Sequence, residues 1–190
     1  RTVLFDPEVR FPQATTYKVE IPAGTKSESG ATLDKAVAFS FETPPPKIVG
    51  QYPGDWAPQQ LDVPIMVTFD QKIDPKAVLQ KIQVKAPVIK KAANGNDPWA
   101  KAGNAETAAV PIRMLDANEI AKDKRLSAMV EAAKKDEHEG RWLAFRTVDK
   151  LPSDATITVE VPAGTPSAEG PNATKTAQTF SFRTYPPLRV

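Results

Sequence analysis

The strongest constraint on the fold is that the chain repeats itself. The seven residues Val19-Glu20-Ile21-Pro22-Ala23-Gly24-Thr25 return almost unchanged as Val159-Glu160-Val161-Pro162-Ala163-Gly164-Thr165. The same shift of 140 (Val19 to Val159) carries Arg1, Phe5, Pro12, Ser27 and Gly30 onto Arg141, Phe145, Pro152, Ser167 and Gly170. After one inserted residue, Phe39-Ser40-Phe41 falls on Phe180-Ser181-Phe182, and Thr43, Pro45, Pro46 and Val49 on Thr184, Pro186, Pro187 and Val190. A repeat of this length marks tandem copies of one folding unit. The sequence therefore reads as a complete domain over 47–190, preceded by the C-terminal part of a first, truncated domain over 1–46.

Within each copy the apolar residues alternate. Tyr17, Val19 and Ile21 interleave with Lys18 and Glu20, and Ile157, Val159 and Val161 repeat the pattern, which is the period of a strand with one buried face. Leu61, Val63, Ile65, Val67 and Phe69 form the longest alternation. Phe39/Phe41 and Phe180/Phe182 close each copy with a short aromatic strand, and Ile82/Val84 and Val110/Ile112/Met114 add two more candidates. Short strands punctuated by Pro, Gly, Asn and Asp predict an all-β fold of tandem Ig-like antiparallel β-sandwiches. Val63, Ile65, Val67, Phe69, Val159, Val161, Phe180 and Phe182 are expected to line the core of the second. The recurring Pro-Ala-Gly-Thr reads as a strand end that turns through glycine. Nineteen prolines against nine glycines favour stiff connections, and Pro44-Pro45-Pro46 falls between the copies, where it limits their relative angles.

The second copy carries an insertion at about 87–139. Ala92 to Ala109 reads as an exposed loop anchored by Trp99. Asp116 to about Glu137 is rich in Ala, Lys, Glu, Leu and Met without Pro or Gly, and predicts one helix opened by an Asp116/Glu119 capping box and stopped by Gly140. Ile120, Leu126, Met129, Val130 and Ala133 make an incomplete apolar stripe, which places the helix on the sandwich edge. The first copy lacks counterparts of Pro46 through Gly140, so Phe5, Tyr17, Val19, Ile21, Phe39 and Phe41 are expected to present half a core to water. A further N-terminal piece, or symmetric pairing of two truncated domains, is expected to cover them, because the three prolines restrict folding back onto the second copy.

Composition narrows the function classes. The 25 basic residues stand against 23 acidic ones, and the densest runs, Lys122-Asp123-Lys124-Arg125 and Lys134-Lys135-Asp136-Glu137, mix both signs, as a solvated helix face does and a nucleic-acid surface does not. No apolar stretch reaches the roughly 20 residues of a membrane span. With no cysteine, disulfides, thiolate metal sites, a cysteine nucleophile and a thioester are excluded from this segment.

Sites of chemistry are sparse. His138, the one histidine, lies between Glu137 and Glu139 at the predicted helix end and reads as a solvated turn, since a metal site would need further ligands. Asp70 and Asp74 bracket Gln71-Lys72-Ile73, but their spacing fits no calcium loop and suits Asx turns. Serines 27, 29, 153, 167 and 181 have no histidine to activate them, and G-x-S-x-G, P-loop and G-x-G-x-x-G patterns are missing. Catalytic, metal and cofactor-binding residues are therefore none, and a non-enzyme is expected.

The segments Arg1 to Pro7, Phe11 to Thr25 and Phe39 to Pro46 resemble the Ig-like modules near the N-terminus of bacterial α2-macroglobulins. The second copy matches through Val67-Thr68-Phe69-Asp70, Ile73-Asp74-Pro75, Gly140-Arg141-Trp142, Val159 to Thr165 and Phe180 to Pro187. That resemblance implies a periplasmic or cell-surface bacterial protein that traps attacking proteases, through a bait segment that is cut and, in many members, a Cys-x-x-Gln thioester. Neither element can be placed here, so the implied role is a scaffold without catalytic or inhibitory residues, whose partners are neighbouring domains and, through the full-length protein, proteases. The alternative is an Ig-like spacer of a bacterial adhesin or polysaccharide-active enzyme, which would suit a platform of exposed aromatics. Trp56, Trp99 and Trp142 are too scattered in sequence to make one.

Overall fold

The computed structural model describes residues 6–88 and 106–187. Expectations that fall on Arg1, Phe5, Trp99, Val190 and most of the Ala92–Ala109 loop lie outside the described residues.

The chain is all-β, in antiparallel sheets. The described residues from 47 onward form a two-layer sandwich. Its strands are β3 (Ile48–Tyr52), β4 (Ile65–Phe69), β5 (Gln83–Pro87), β6 (Thr107–Val110), β7 (Ile112–Met114), β8 (Trp142–Thr147), β9 (Thr156–Val161) and β10 (Gln178–Arg183), arranged as sheets β3-β4-β8-β7 and β10-β9-β5-β6. The eight residues expected in the core are all in it, from Val67 and Val159 at 0% exposure to Phe180 at 7%. Burying each contributes roughly 1.5–3 kcal/mol. Before β1 of the repeat reappears as β9, the first copy has the hairpin β1 (Thr16–Ile21) and β2 (Val37–Glu42). Its register is that of β9–β10 residue for residue: Val19 faces Phe39 as Val159 faces Phe180, and Thr16 faces Glu42 as Thr156 faces Arg183.

The repeated Pro-Ala-Gly-Thr is structural in both copies. Gly24 and Gly164 take φ of 85° and 80°, a region open to glycine. The Thr25 and Thr165 hydroxyls donate to the carbonyls of Pro22 and Pro162 at 2.7 Å in each case.

Several boundaries differ from the sequence expectation. β4 begins at Ile65 and not at Leu61, because residues 61–62 turn and Pro64 offers no N–H to a ladder; Val63 is nevertheless buried. The insertion is smaller than about 87–139: β6 pairs with β5 and β7 with β8, so the chain steps from one sheet to the other across Pro111 and supplies an edge strand to each. β6 therefore begins at Thr107, inside the expected loop, and takes in Val110, which was expected in a strand.

The expected single helix is two, α2 (Ala117–Lys122) and α3 (Lys124–Lys135). Asp123 breaks it: its backbone is extended, and its carboxylate caps the Arg125 and Leu126 amides, an alternative that aspartate offers the backbone more readily than helix-forming residues do. The Asp116/Glu119 capping box forms as expected. The stop is Glu137 and not Gly140: Glu137 takes φ of 55°, with Glu137 N–H donating to Lys134 and His138 N–H to Ala133, a Schellman closure. Nor does the helix lie at an edge. Leu126 (0% exposed) packs with Met66, Ala144 and Leu115, so α3 covers the outer face of sheet β3-β4-β8-β7. That second buried face is why Ile65, Met66 and Val67 are all buried and the alternation of β4 is lost.

Candidate functional site

The most built feature outside the core is the junction between the hairpin and the sandwich. It starts from a backbone turn at Gln13-Ala14-Thr15, where Ala14 takes φ of 54° and is fully buried. Its amide donates to the Pro44 carbonyl at 2.9 Å, and its carbonyl accepts the Asn172 amide at 2.7 Å. The hairpin end and the loop after β9 are thereby joined backbone to backbone. Gly170 is the position that lets them approach: a Cβ there would stand 2.4 Å from both the Ala14 and Gln13 carbonyl oxygens.

Glu169 locks the loop. One carboxylate oxygen accepts the Gln13 amide of the hairpin at 3.1 Å, and the other accepts the Lys72 amide of the sandwich at 2.8 Å. Burial pushes its pKa up, but the Lys72 and Gln13 N–H donors, with the charges of Arg10 and Arg141, outweigh that and hold it below the usual carboxylate value. At the rim, Lys175 reaches Glu42 at 2.9 Å, and its hydrogen bond and charge lower the Glu42 pKa.

The proline run is held at both ends: the Pro44 carbonyl, which already accepts the Ala14 amide, also accepts from Gln71 at 3.1 Å, and the Pro46 carbonyl accepts from Gln178 at 3.0 Å. Gln71 is fully buried, and its own carbonyl accepts from Ser167 at 2.8 Å. The expectation that Pro44–Pro46 would keep the hairpin off the second copy is thus overturned, since a stiff linker with satisfied carbonyls sets one docking angle. Docking covers the end of the hairpin and not its apolar face. Phe11, Tyr17 and Phe41 pack on each other, with ring centroids 4.6–5.6 Å apart, while Phe39 remains 54% and Val37 46% exposed.

The residues weighed for chemistry have other roles. Asp70 accepts the Lys47 amide, and Asp74 caps the short helix α1 (Pro75–Leu79) through the Lys76 and Ala77 amides. The His138 amide closes α3. Ser27 and Ser29 bond each other, Ser167 serves Gln71, Ser181 meets Thr158, and Ser153 lies in a turn. Among the described residues no group of three or more His, Cys, Asp or Glu is placed to hold a metal, and no helix is long and apolar enough to cross a membrane. Trp142 packs under α3. Trp56 is 74% exposed with the Arg125 guanidinium 5.8 Å from its ring.

Gln71, Glu169, Gly170 and Asn172 were not singled out as functional from sequence. One signal was available: Ser27/Ser167 and Gly30/Gly170 recur at the repeat offset, whereas Glu169 falls opposite Ser29, a departure from the repeat where the loop acquires a ligand for two amides. The chain matches no family model and no curated protein sequence.

Proposed function

We propose that this chain is a non-catalytic structural segment of a bacterial α2-macroglobulin-like protease inhibitor, a tandem of Ig-like sandwiches held at fixed angles in a periplasmic or cell-surface protein. The observation that supports this is the junction itself. The buried Gln71 amide, the half-buried Glu169 carboxylate and the close approach at Gly170 together orient one unit against the next, which suits a frame that must transmit rearrangement after a bait segment is cut. The reading also rests on the resemblance of both copies to the Ig-like modules of that family. In this role the segment has no inhibitory residues, and proteases are met by the full-length protein.

The test has two arms. The full-length protein, incubated with an excess of endoprotease, should be cut once or a few times, change its shape in solution scattering, and leave the protease active on small substrates but not on large ones. The purified 190-residue chain should leave both activities untouched. A full-length protein that traps no protease would remove this function, and stoichiometric inhibition by the isolated chain would remove the scaffold role.

A further inference from the structure

The chain enters and leaves the sandwich along one direction. Ile48, at the start of β3, lies beside Gln178, at the start of β10: the Ile48 amide donates to the Gln178 side-chain carbonyl at 2.8 Å. Near the other end of β10, Gln59 and Thr184 form a parallel bridge. There the Gln59 amide donates to the Arg183 carbonyl at 2.8 Å, and the Tyr185 amide to the Gln59 carbonyl at 2.9 Å. The stretch from Ile48 to Gln59 therefore runs alongside β10 and in the same sense, although β3 and β10 are edge strands of different sheets.

Tension along the chain pulls these two stretches in opposite directions, each parallel to its own axis. Ladder hydrogen bonds stand perpendicular to the strands, so such a pull loads the bonds of β3 to β4 and of β10 to β9 together and peels none of them singly. The hairpin is the opposite case within the same chain. Thr16 and Glu42, where the chain enters and leaves it, face each other, so tension opens β1 from β2 one pair at a time.

Gln178 closes the sandwich at the end where the chain enters. Its backbone pairs with Val161 on β9, and it stands on the same side of β10 as the buried Phe180 and Phe182. From there its amide crosses to the other sheet, where Oε1 accepts from Ile48 and Nε2 donates to the Pro46 carbonyl at 3.0 Å. One side chain thus grips the chain on both sides of Lys47. The strand itself does not call for an amide, because Val37 holds the corresponding place in the first copy. We propose that the sandwich is a tension-bearing unit, and that Gln178 is the clamp that ties its entry strand to its exit strand when the chain is pulled lengthwise. This role holds whether or not the parent traps proteases.

Lifetimes under constant force report the unfolding rate, and optical tweezers holding the full 190-residue chain by its two ends test the proposal. The hairpin should open first and the sandwich later, told apart by the length of chain that each releases. Because the chain has no cysteine, Asp154→Cys gives a unique second handle. The Asp154 amide donates to the Tyr185 carbonyl, so a pull between this handle and the C-terminal one peels β10 from β9 starting at Arg183. At equal force the sandwich should last about tenfold longer or more end to end than when peeled, as hydrogen bonds loaded together require. Gln178→Leu, with unchanged circular dichroism, should shorten the end-to-end lifetime by about tenfold or more, the effect of two lost hydrogen bonds. It should shorten the peeling lifetime by about twofold at most, because Gln178 separates last and bonds intact at the barrier leave the unfolding rate unchanged. Gln178→Glu, which keeps the acceptor for Ile48 and loses the donor to Pro46, should fall between. Equal lifetimes in the two directions with Gln178 in place overturn the tension-bearing role. A loss on Gln178→Leu that is the same in both directions, or absent from both, overturns the clamp.

Discussion

Gly170 and Ala14 approach so closely that a single Cβ at position 170 would stand 2.4 Å from the Ala14 carbonyl oxygen, and this contact couples the two units. Gly170→Ala would press its methyl against the Thr15 hydroxyl and against the Gln13 and Ala14 carbonyl oxygens, and the backbone cannot swing away as a side chain can. The substitution should therefore move the hairpin off the loop at a cost of about 1–3 kcal/mol, the range of overpacked sites. The Asn172 amide, which donates to Ala14, should exchange with solvent about tenfold to a hundredfold faster. The melting of the sandwich, whose core is remote from this contact, should hardly change. Unaltered Asn172 protection would show that the junction tolerates the methyl and is not close-packed.

The repeat provides an internal control for burial. Phe180 and Phe39 occupy the same position of the same hairpin register, yet one is 7% and the other 54% exposed. Phe180→Ala should cost about 3–5 kcal/mol in urea unfolding. Phe39→Ala should stay within about 0.5 kcal/mol, as surface changes do. Equal costs at the two sites would mean that the Phe39 face is covered in solution.

Much of this architecture was legible from periodicity. The alternation at Val63–Phe69 and Val159–Val161 placed the core, and the offset of the repeat marked Tyr17–Ile21 and Phe39/Phe41 as the counterparts of Ile157–Val161 and Phe180/Phe182, while their pairing into a hairpin came only from the fold. What failed to be legible has a common physical form, in which a local signal was overruled by a side chain serving the backbone. Asp123 reads as one more charged residue in a helical stretch, but its carboxylate captures two amides and splits the helix. Met66 reads as an outward-facing position until α3 covers that face. The junction was hidden for the same reason: Gln71 and Glu169 look like surface polar residues, and only the fold brings them to Pro44, Gln13 and Lys72.

Glu137 offers a stabilising change. It holds the left-handed position that closes α3, with φ of 55°, at a cost of about 1–2 kcal/mol for an L-residue with a side chain. Glycine removes that strain and returns part of it as unfolded-state entropy, about 0.5–1 kcal/mol. Glu137→Gly should therefore raise stability by about 0.5–1 kcal/mol. Gly140→Ala should lower it, since Gly140 has φ of 73°. A destabilised Glu137→Gly variant would refute the Schellman assignment of the helix end.

Acid should loosen the helical cover and the junction before the core. Arg113 hydrogen-bonds Glu119, and the Asp116 amide adds to it, holding the Glu119 pKa down to about 2 from an ordinary value of 4.5. A depressed carboxylate stabilises the fold fully above its unfolded pKa, and that contribution is lost as pH falls through the folded one. For Glu119 the loss runs from about pH 4.5 down to about pH 2. Glu169 is also lowered, so its hold on Gln13 and Lys72 fails in the same direction, as pH drops below the ordinary carboxylate value. Exchange rates measured across this range should rise first at the α2 amides and at Lys72 and Asn172, while β4, β8 and β9 stay protected. Glu119→Gln should flatten the acid response at α2 alone, and Glu169→Gln that at the junction alone. Acid sensitivity that persists at both places in the double variant would show that other carboxylates carry it.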